Sequence, residues 1–88
     1  MSVAVPKIEV QPLVPLPGRS FVVVRAHQEE EFFVASCEEL GVFTQGATLD
    51  ELRRNVREAV DLSLAEGEHV EYGLPPSPAI WFMYEESL

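Results

Sequence analysis

Residues 32–64, FFVASCEELGVFTQGATLDELRRNVREAVDLSL, contain the elements that decide the fold of this chain. The stretch opens with aromatic and β-branched residues up to Cys37, a composition and length typical of a β-strand. A shorter run at residues 42–45, VFTQ, lies between two glycines. These two runs predict neighbouring strands.

The second half of the stretch predicts an amphipathic helix. Thr48 and Glu51 have the spacing of a capping box, in which the two side chains satisfy free backbone amides at a helix start. Gly67 stands where a left-handed residue would end the helix. The apolar side of the helix is predicted from residues that recur at helical spacing: Leu49, Leu52, Val56, Ala59, Val60, Ser63 and Leu64.

Two further strands are predicted on either side of this stretch. Residues 21–27 are rich in Val and Phe, and the connector 28–31 is short enough for an antiparallel hairpin with residues 32–37. Residues 79–84 form a last apolar and aromatic run after a proline-containing loop. The predicted fold class is therefore α+β: an antiparallel sheet in the order β-β-β-α-β, with one helix packed on one face.

The chain divides into a proline-rich N-terminal extension, residues 1–20, and a single α+β domain, residues 21–88. Proline fixes φ and removes a hydrogen-bond donor, so the extension is expected to be loop-like, with at most a short edge strand around residues 7–10. A chain of 88 residues is too short for two ordinary domains.

The predicted strands are apolar on both faces. Residues 21–24 are all Phe or Val, and residues 79–84 are apolar at odd and even positions alike. One helix covers only one face of the sheet, so the other must be covered by the N-terminal extension, a second copy or another protein. We expect a homo-oligomer or a stable complex.

Composition excludes several classes of function. The net charge is −9, a sign that repels nucleic acid and attracts a basic protein, so no direct nucleic-acid binding is expected. Cys37 is the only cysteine, which leaves no intramolecular disulfide. The chain has neither a long apolar run nor the pattern of a signal peptide, which predicts a cytoplasmic protein that does not bind membranes.

The side chains used in catalysis are scarce. His27 and His69 have no cysteine or histidine at metal-ligand spacing, and Cys37 lies in no nucleophile motif. The carboxylates are predicted in turns and on the solvent side of the helix, where no rigid two-metal site could form. We therefore expect no enzyme activity, no metal and no cofactor, although a minimal ribonuclease would be the enzyme alternative.

Contact with a partner is instead assigned to surface residues. The acidic turns Glu29, Glu30 and Glu31, and Glu38 and Glu39, are candidates to bind a basic surface. Leu62 lies off the apolar stripe of the helix and is predicted to face water, which makes it a further candidate contact.

Residues 32–64 resemble the HicB-like antitoxin domain. The matching pattern is an aromatic strand, a Thr-Gln-Gly turn and a Thr-capped helix, carried by Cys37, Glu39, Leu40, Gly41, Thr44, Gln45, Gly46, Thr48, Leu49, Glu51, Asn55, Glu58 and Ala59. In this pattern we interpret Gly46 as permitting a backbone turn that a side chain would forbid.

The resemblance implies a partial ribonuclease-H-like domain without catalytic carboxylates. It also implies an oligomer that masks a small basic ribonuclease toxin of HicA type. The chain departs from the pattern at Glu38, where the family usually has proline, and at the Glu-rich hairpin turn, where glycine is common. Only 24 residues follow Leu64, too few for the DNA-binding module of many members, which puts autorepression in doubt.

Two functions follow as hypotheses. The first is an antitoxin-like binding protein that neutralises a basic ribonuclease by occlusion. The alternative is a stand-alone oligomeric scaffold or small-ligand module of the same fold, with no toxin partner.

Overall fold

The computed structural model describes residues 20–86. In chain order these form β1 (Phe21–Glu29), β2 (Phe32–Cys37), β3 (Val42–Gly46), α1 (Leu49–Ser63), a 3₁₀ helix (Glu68–Tyr72) and β4 (Ala79–Glu85). The α+β class and the β-β-β-α-β order are confirmed, and the 3₁₀ helix is an addition to them. The strand predicted around residues 7–10 lies outside the described residues.

The strands form one mixed sheet in the order β3-β2-β1-β4. β2 pairs antiparallel with both β1 and β3, whereas β4 lies parallel to β1, with Phe21 opposite Ala79 and His27 opposite Glu85. β4 thus departs from the all-antiparallel pairing predicted from the sequence. The reason is that α1 crosses over one face of the sheet and returns the chain in the direction of β3, which is also that of β1.

α1 packs on one face of this sheet and forms the core with it. Leu52, Val56 and Val60 are at most 1% exposed. They pack with buried residues from β1, β2 and the loops: Val22, Val24, Ala26, Ala35, Cys37, Leu40, Leu64 and Leu74. Complete burial of one such aliphatic side chain stabilises the fold by roughly 1.5–3 kcal/mol.

The start of α1 confirms the predicted cap. The Glu51 backbone amide donates to Thr48 Oγ1 at 3.0 Å, and the Ala47 amide donates to Glu51 Oε1 at 2.7 Å. Thr48 therefore satisfies one of the free amides of the first helical turn, whereas Glu51 satisfies the amide of Ala47, one residue before the Thr48 amide that a standard capping box would pair.

The end of α1 differs from the prediction. The helix ends at Ser63, and the buried Leu64 is its C-cap, whose amide bonds back to the last turn. Gly67 has the predicted left-handed conformation, with φ 84°, but it precedes the 3₁₀ helix instead of capping α1. Glu66 already has a left-handed conformation, with φ 59°, so the chain leaves the helix before it reaches Gly67.

Gly46 is required for a different reason from the predicted turn. It is the last residue of β3, and its φ is not positive, unlike that of Gly41. A Cβ atom at Gly46 would lie 2.6 Å from the Leu52 backbone nitrogen and 2.9 Å from its Cα. The absence of a side chain therefore lets the first turn of α1 contact the strand.

Candidate protein-binding surface

The face of the sheet opposite α1 is covered by no other described element. Strand alternation and the pairing register place fourteen side chains on it, and we call this set the open face: Phe21, Val23, Arg25, His27, Glu29, Phe32, Val34, Ser36, Phe43, Gln45, Ala79, Trp81, Met83 and Glu85. Within residues 20–86, eight large hydrophobic side chains are exposed, and five of them belong to the open face: Val23, Phe32, Phe43, Trp81 and Met83. Exposed apolar surface in this molecule is thus concentrated on one side.

Trp81 is the largest apolar group of the open face and is 58% exposed. Its ring stacks on that of Phe21, with ring centroids 4.5 Å apart and an interplanar angle of 17°. The parallel register of β1 and β4 produces this contact, because it places Val23 opposite Trp81 and Phe21 two residues earlier. A ring already held in position loses less conformational entropy when a partner binds.

Arg25 lies in the middle of the open face. The register places Ser36 and Met83 beside it on either neighbouring strand, with Phe43 next to Ser36 on β3. Arg25 makes no ion pair with the described residues. Arginine is enriched among residues that carry binding energy at protein interfaces, so Arg25 is a site residue that sequence reasoning missed.

One predicted acidic turn lies at the hairpin between β1 and β2. Glu29 ends β1 and Glu30 lies in the turn, where its φ is 51°. Glu29 Oε2 accepts a hydrogen bond from His27 Nε2 at 2.8 Å when that nitrogen carries a proton. The parallel β4 brings Glu85 and Glu86 to the same end of the sheet, where they line a shallow cleft with His27 and Glu30.

The other predicted acidic turn, Glu38 and Glu39, lies at the opposite end of β2. These two residues line a shallow depression of the open face together with Phe21, Val23, Arg25 and Ser36. A strand the length of β2 spans roughly 20 Å, so the two acidic turns do not form one cluster. The two acidic turns instead lie at opposite ends of the open face.

Leu62 is exposed as predicted, at 70%, but it is not part of this surface. It lies on α1, two residues after the sheet-facing Val60, and two residues turn a helix by about 200°. Leu62 therefore faces solvent on the helix side of the molecule, away from the open face.

The groups that could carry catalysis are not assembled. Cys37 is a free thiol, buried in the core. His27 is on β1, and His69 is in the 3₁₀ helix. Within the part of the chain that the structure describes, there is no group of three or more His, Cys, Asp or Glu side chains able to hold a metal ion.

Comparison of the chain with protein-family models, with curated proteins and with solved structures found no match. Among residues 20–86, no helix is long and apolar enough to cross a membrane. The geometry of the open face is therefore the main guide to function.

Proposed function

We propose that this protein is an antitoxin-like binding protein that neutralises a small basic ribonuclease of HicA type by covering it with the open face. The observation that carries the proposal is an exposed apolar surface bracketed at both ends by acidic turns. Residues 32–64 add support through their resemblance to the HicB-like domain. The protein acts by binding and carries out no chemical step.

The open face has the size of an interface centre. A sheet of four strands, each contributing about six residues, covers roughly 400 Å² at normal strand spacing. A standard protein interface buries about 800 Å² on each partner, with an apolar core and a polar rim. The open face would supply the core, and the acidic turns around it would supply the rim.

Charge supports a basic partner. The chain has 15 acidic and 6 basic side chains, and the acidic turns at Glu29–Glu31 and Glu38–Glu39 flank the apolar centre. An acidic rim accelerates association with a basic protein and disfavours association with an acidic protein. In the complex, Arg25 would contact a carboxylate or backbone carbonyl oxygen of the partner, because a cation at the interface centre needs such an acceptor.

The test is co-expression of the full chain with a small basic ribonuclease of HicA type, sought first in the neighbouring reading frame. We expect restored growth of the host, loss of messenger RNA cleavage, and a complex that co-purifies. Failure of the wild-type chain to restore growth, or to bind the ribonuclease, would contradict the antitoxin assignment. A stable homo-oligomer in that case would favour the alternative of a stand-alone scaffold.

A matched pair of variants locates the surface. Phe43, on the open face, and Val70, in the 3₁₀ helix, are each 69% exposed. We expect Phe43→Ser to weaken binding about 30-fold, the effect of losing about 2 kcal/mol at an interface hot spot, and Val70→Ser to leave affinity unchanged. Equal affinities of the two variants would show that the partner binds elsewhere.

A further inference from the structure

β4 is an edge strand with few of the features that usually prevent an edge from pairing. It is bound to β1 on one side, and no described residue pairs with its other side. Residues 79–84 are AIWFMY, with no charge, proline or glycine. Proteins normally protect an edge with such residues, or cover it, because free backbone donors and acceptors recruit another strand.

The other edge of the sheet is protected. β3 is shorter than β4 and carries the polar residues Thr44 and Gln45. The Asn55 side chain of α1 donates a hydrogen bond to the Gln45 carbonyl oxygen at 2.7 Å. Of the two edges, β4 is therefore the one more open to pairing with another strand.

The N-terminal segment joins the sheet at the corner where β4 begins. The Ser20 carbonyl oxygen, immediately before β1, accepts a hydrogen bond from the Ala79 amide at 3.0 Å. The outer edge of β4 is two strand spacings from β1, about 10 Å, and the ten residues from Val10 to Ser20 can span up to roughly 33 Å. A segment that ends at this corner would run antiparallel to β4.

Charge favours the N-terminal segment over a second copy of the chain as the strand that pairs with the edge of β4. Residues 1–19 contain Lys7, Arg19 and one acid, Glu9, for a net +1, whereas residues 20–88 carry four basic and 14 acidic side chains, for a net −10. Two copies of the chain would each bring −9 to a shared edge. In the antiparallel arrangement, Lys7 would lie toward the end of β4 that leads into Glu85 and Glu86.

We propose that residues 7–10 add to the outer edge of β4 as a fifth, antiparallel strand. The segment closes the edge within one chain and leaves the open face free for a partner. This inference does not depend on the proposed antitoxin function.

Backbone hydrogen exchange of the full chain, followed by NMR without any partner, tests the proposal. Alternate amides of an edge strand point away from its only neighbour, so they are protected only if something pairs with them. We expect the outward amides of β4 to exchange at least about tenfold more slowly than unpaired amides. A tenfold effect means that the paired state is favoured over the open state by about 1.4 kcal/mol.

Two proline variants separate pairing from general effects on the segment. The double variant Ile8→Pro/Glu9→Pro removes a paired donor whichever set of alternate amides faces β4 and should abolish the protection, whereas Val14→Pro, in the connector, should leave it unchanged. Amides of the central strand β1 in the same spectra report that the domain remains folded. Fast exchange of the outward β4 amides in the wild-type chain would overturn the proposal. Protection that survives Ile8→Pro/Glu9→Pro, or that rises with protein concentration, would also overturn it and identify another occupant of the edge, in the second case another copy.

Discussion

Replacement of Gly46 by alanine tests the packing of α1 on β3. The added Cβ atom would meet the Leu52 backbone nitrogen at 2.6 Å, about 0.8 Å short of ordinary contact, which begins at 3.4 Å. Leu52 is fully buried, so the first turn of α1 cannot move away without disturbing the core. Overpacking of this kind costs about 1–3 kcal/mol, and a backbone contact belongs at the upper end of that range.

Thermal unfolding followed by circular dichroism measures this cost. For a domain of this size, 1 kcal/mol corresponds to about 4–8 °C, so we expect Gly46→Ala to lower the melting temperature by about 10–20 °C. The control is Gly41→Ala, where φ is +67° but a Cβ atom meets nothing within 4 Å. Gly41→Ala should lower the free energy of unfolding by about 1 kcal/mol, because a side chain disfavours positive φ even where it meets no neighbouring atom. A Gly46→Ala protein that melts within about 4 °C of wild type, or above Gly41→Ala, would refute the packing argument.

Three further predictions concern the turns and the helix cap. Glu30 has φ 51° in the hairpin turn, so Glu30→Gly should raise stability by about 1 kcal/mol in urea denaturation; a lower urea midpoint would contradict this. The Thr48 hydroxyl accepts a hydrogen bond from the Glu51 amide, so Thr48→Ala should lower the free energy of unfolding by about 1 kcal/mol. An unchanged urea midpoint would argue against the cap. Reversal of Glu38 and Glu39 to lysine should slow association with the basic partner about tenfold at low salt in stopped-flow experiments, and the effect should shrink at high salt; a rate indifferent to both charge and salt would rule out electrostatic steering.

The elements of this fold could be predicted because their signals are local. The aromatic and β-branched composition of β2, the spacing of Leu52, Val56 and Val60, and the pair Thr48 and Glu51 each act within a few residues. Their physical causes, strand pleating, helical periodicity and amide capping, are present in the sequence itself. The boundaries of β2 were predicted to the residue.

Long-range geometry could not be predicted in the same way. The parallel pairing of β4 with β1 depends on how α1 crosses the sheet, and it brings Glu85 beside the hairpin turn. The close approach of Leu52 to Gly46 likewise depends on packing between two elements. Only the two-sided apolar pattern of the strands pointed to the open face, without showing that Trp81 would stack on Phe21 or that Arg25 would lie at its centre.

Fluorescence of Trp81 during titration with the basic ribonuclease tests the role of the open face most directly. Trp81 is the only tryptophan of this chain, and it lies on the open face. With a partner whose own tryptophans are replaced, the emission should shift to shorter wavelength and acrylamide quenching should fall as the complex forms. A complex that forms at the expected size, yet leaves the emission and quenching of Trp81 unchanged, would show that the partner binds another surface.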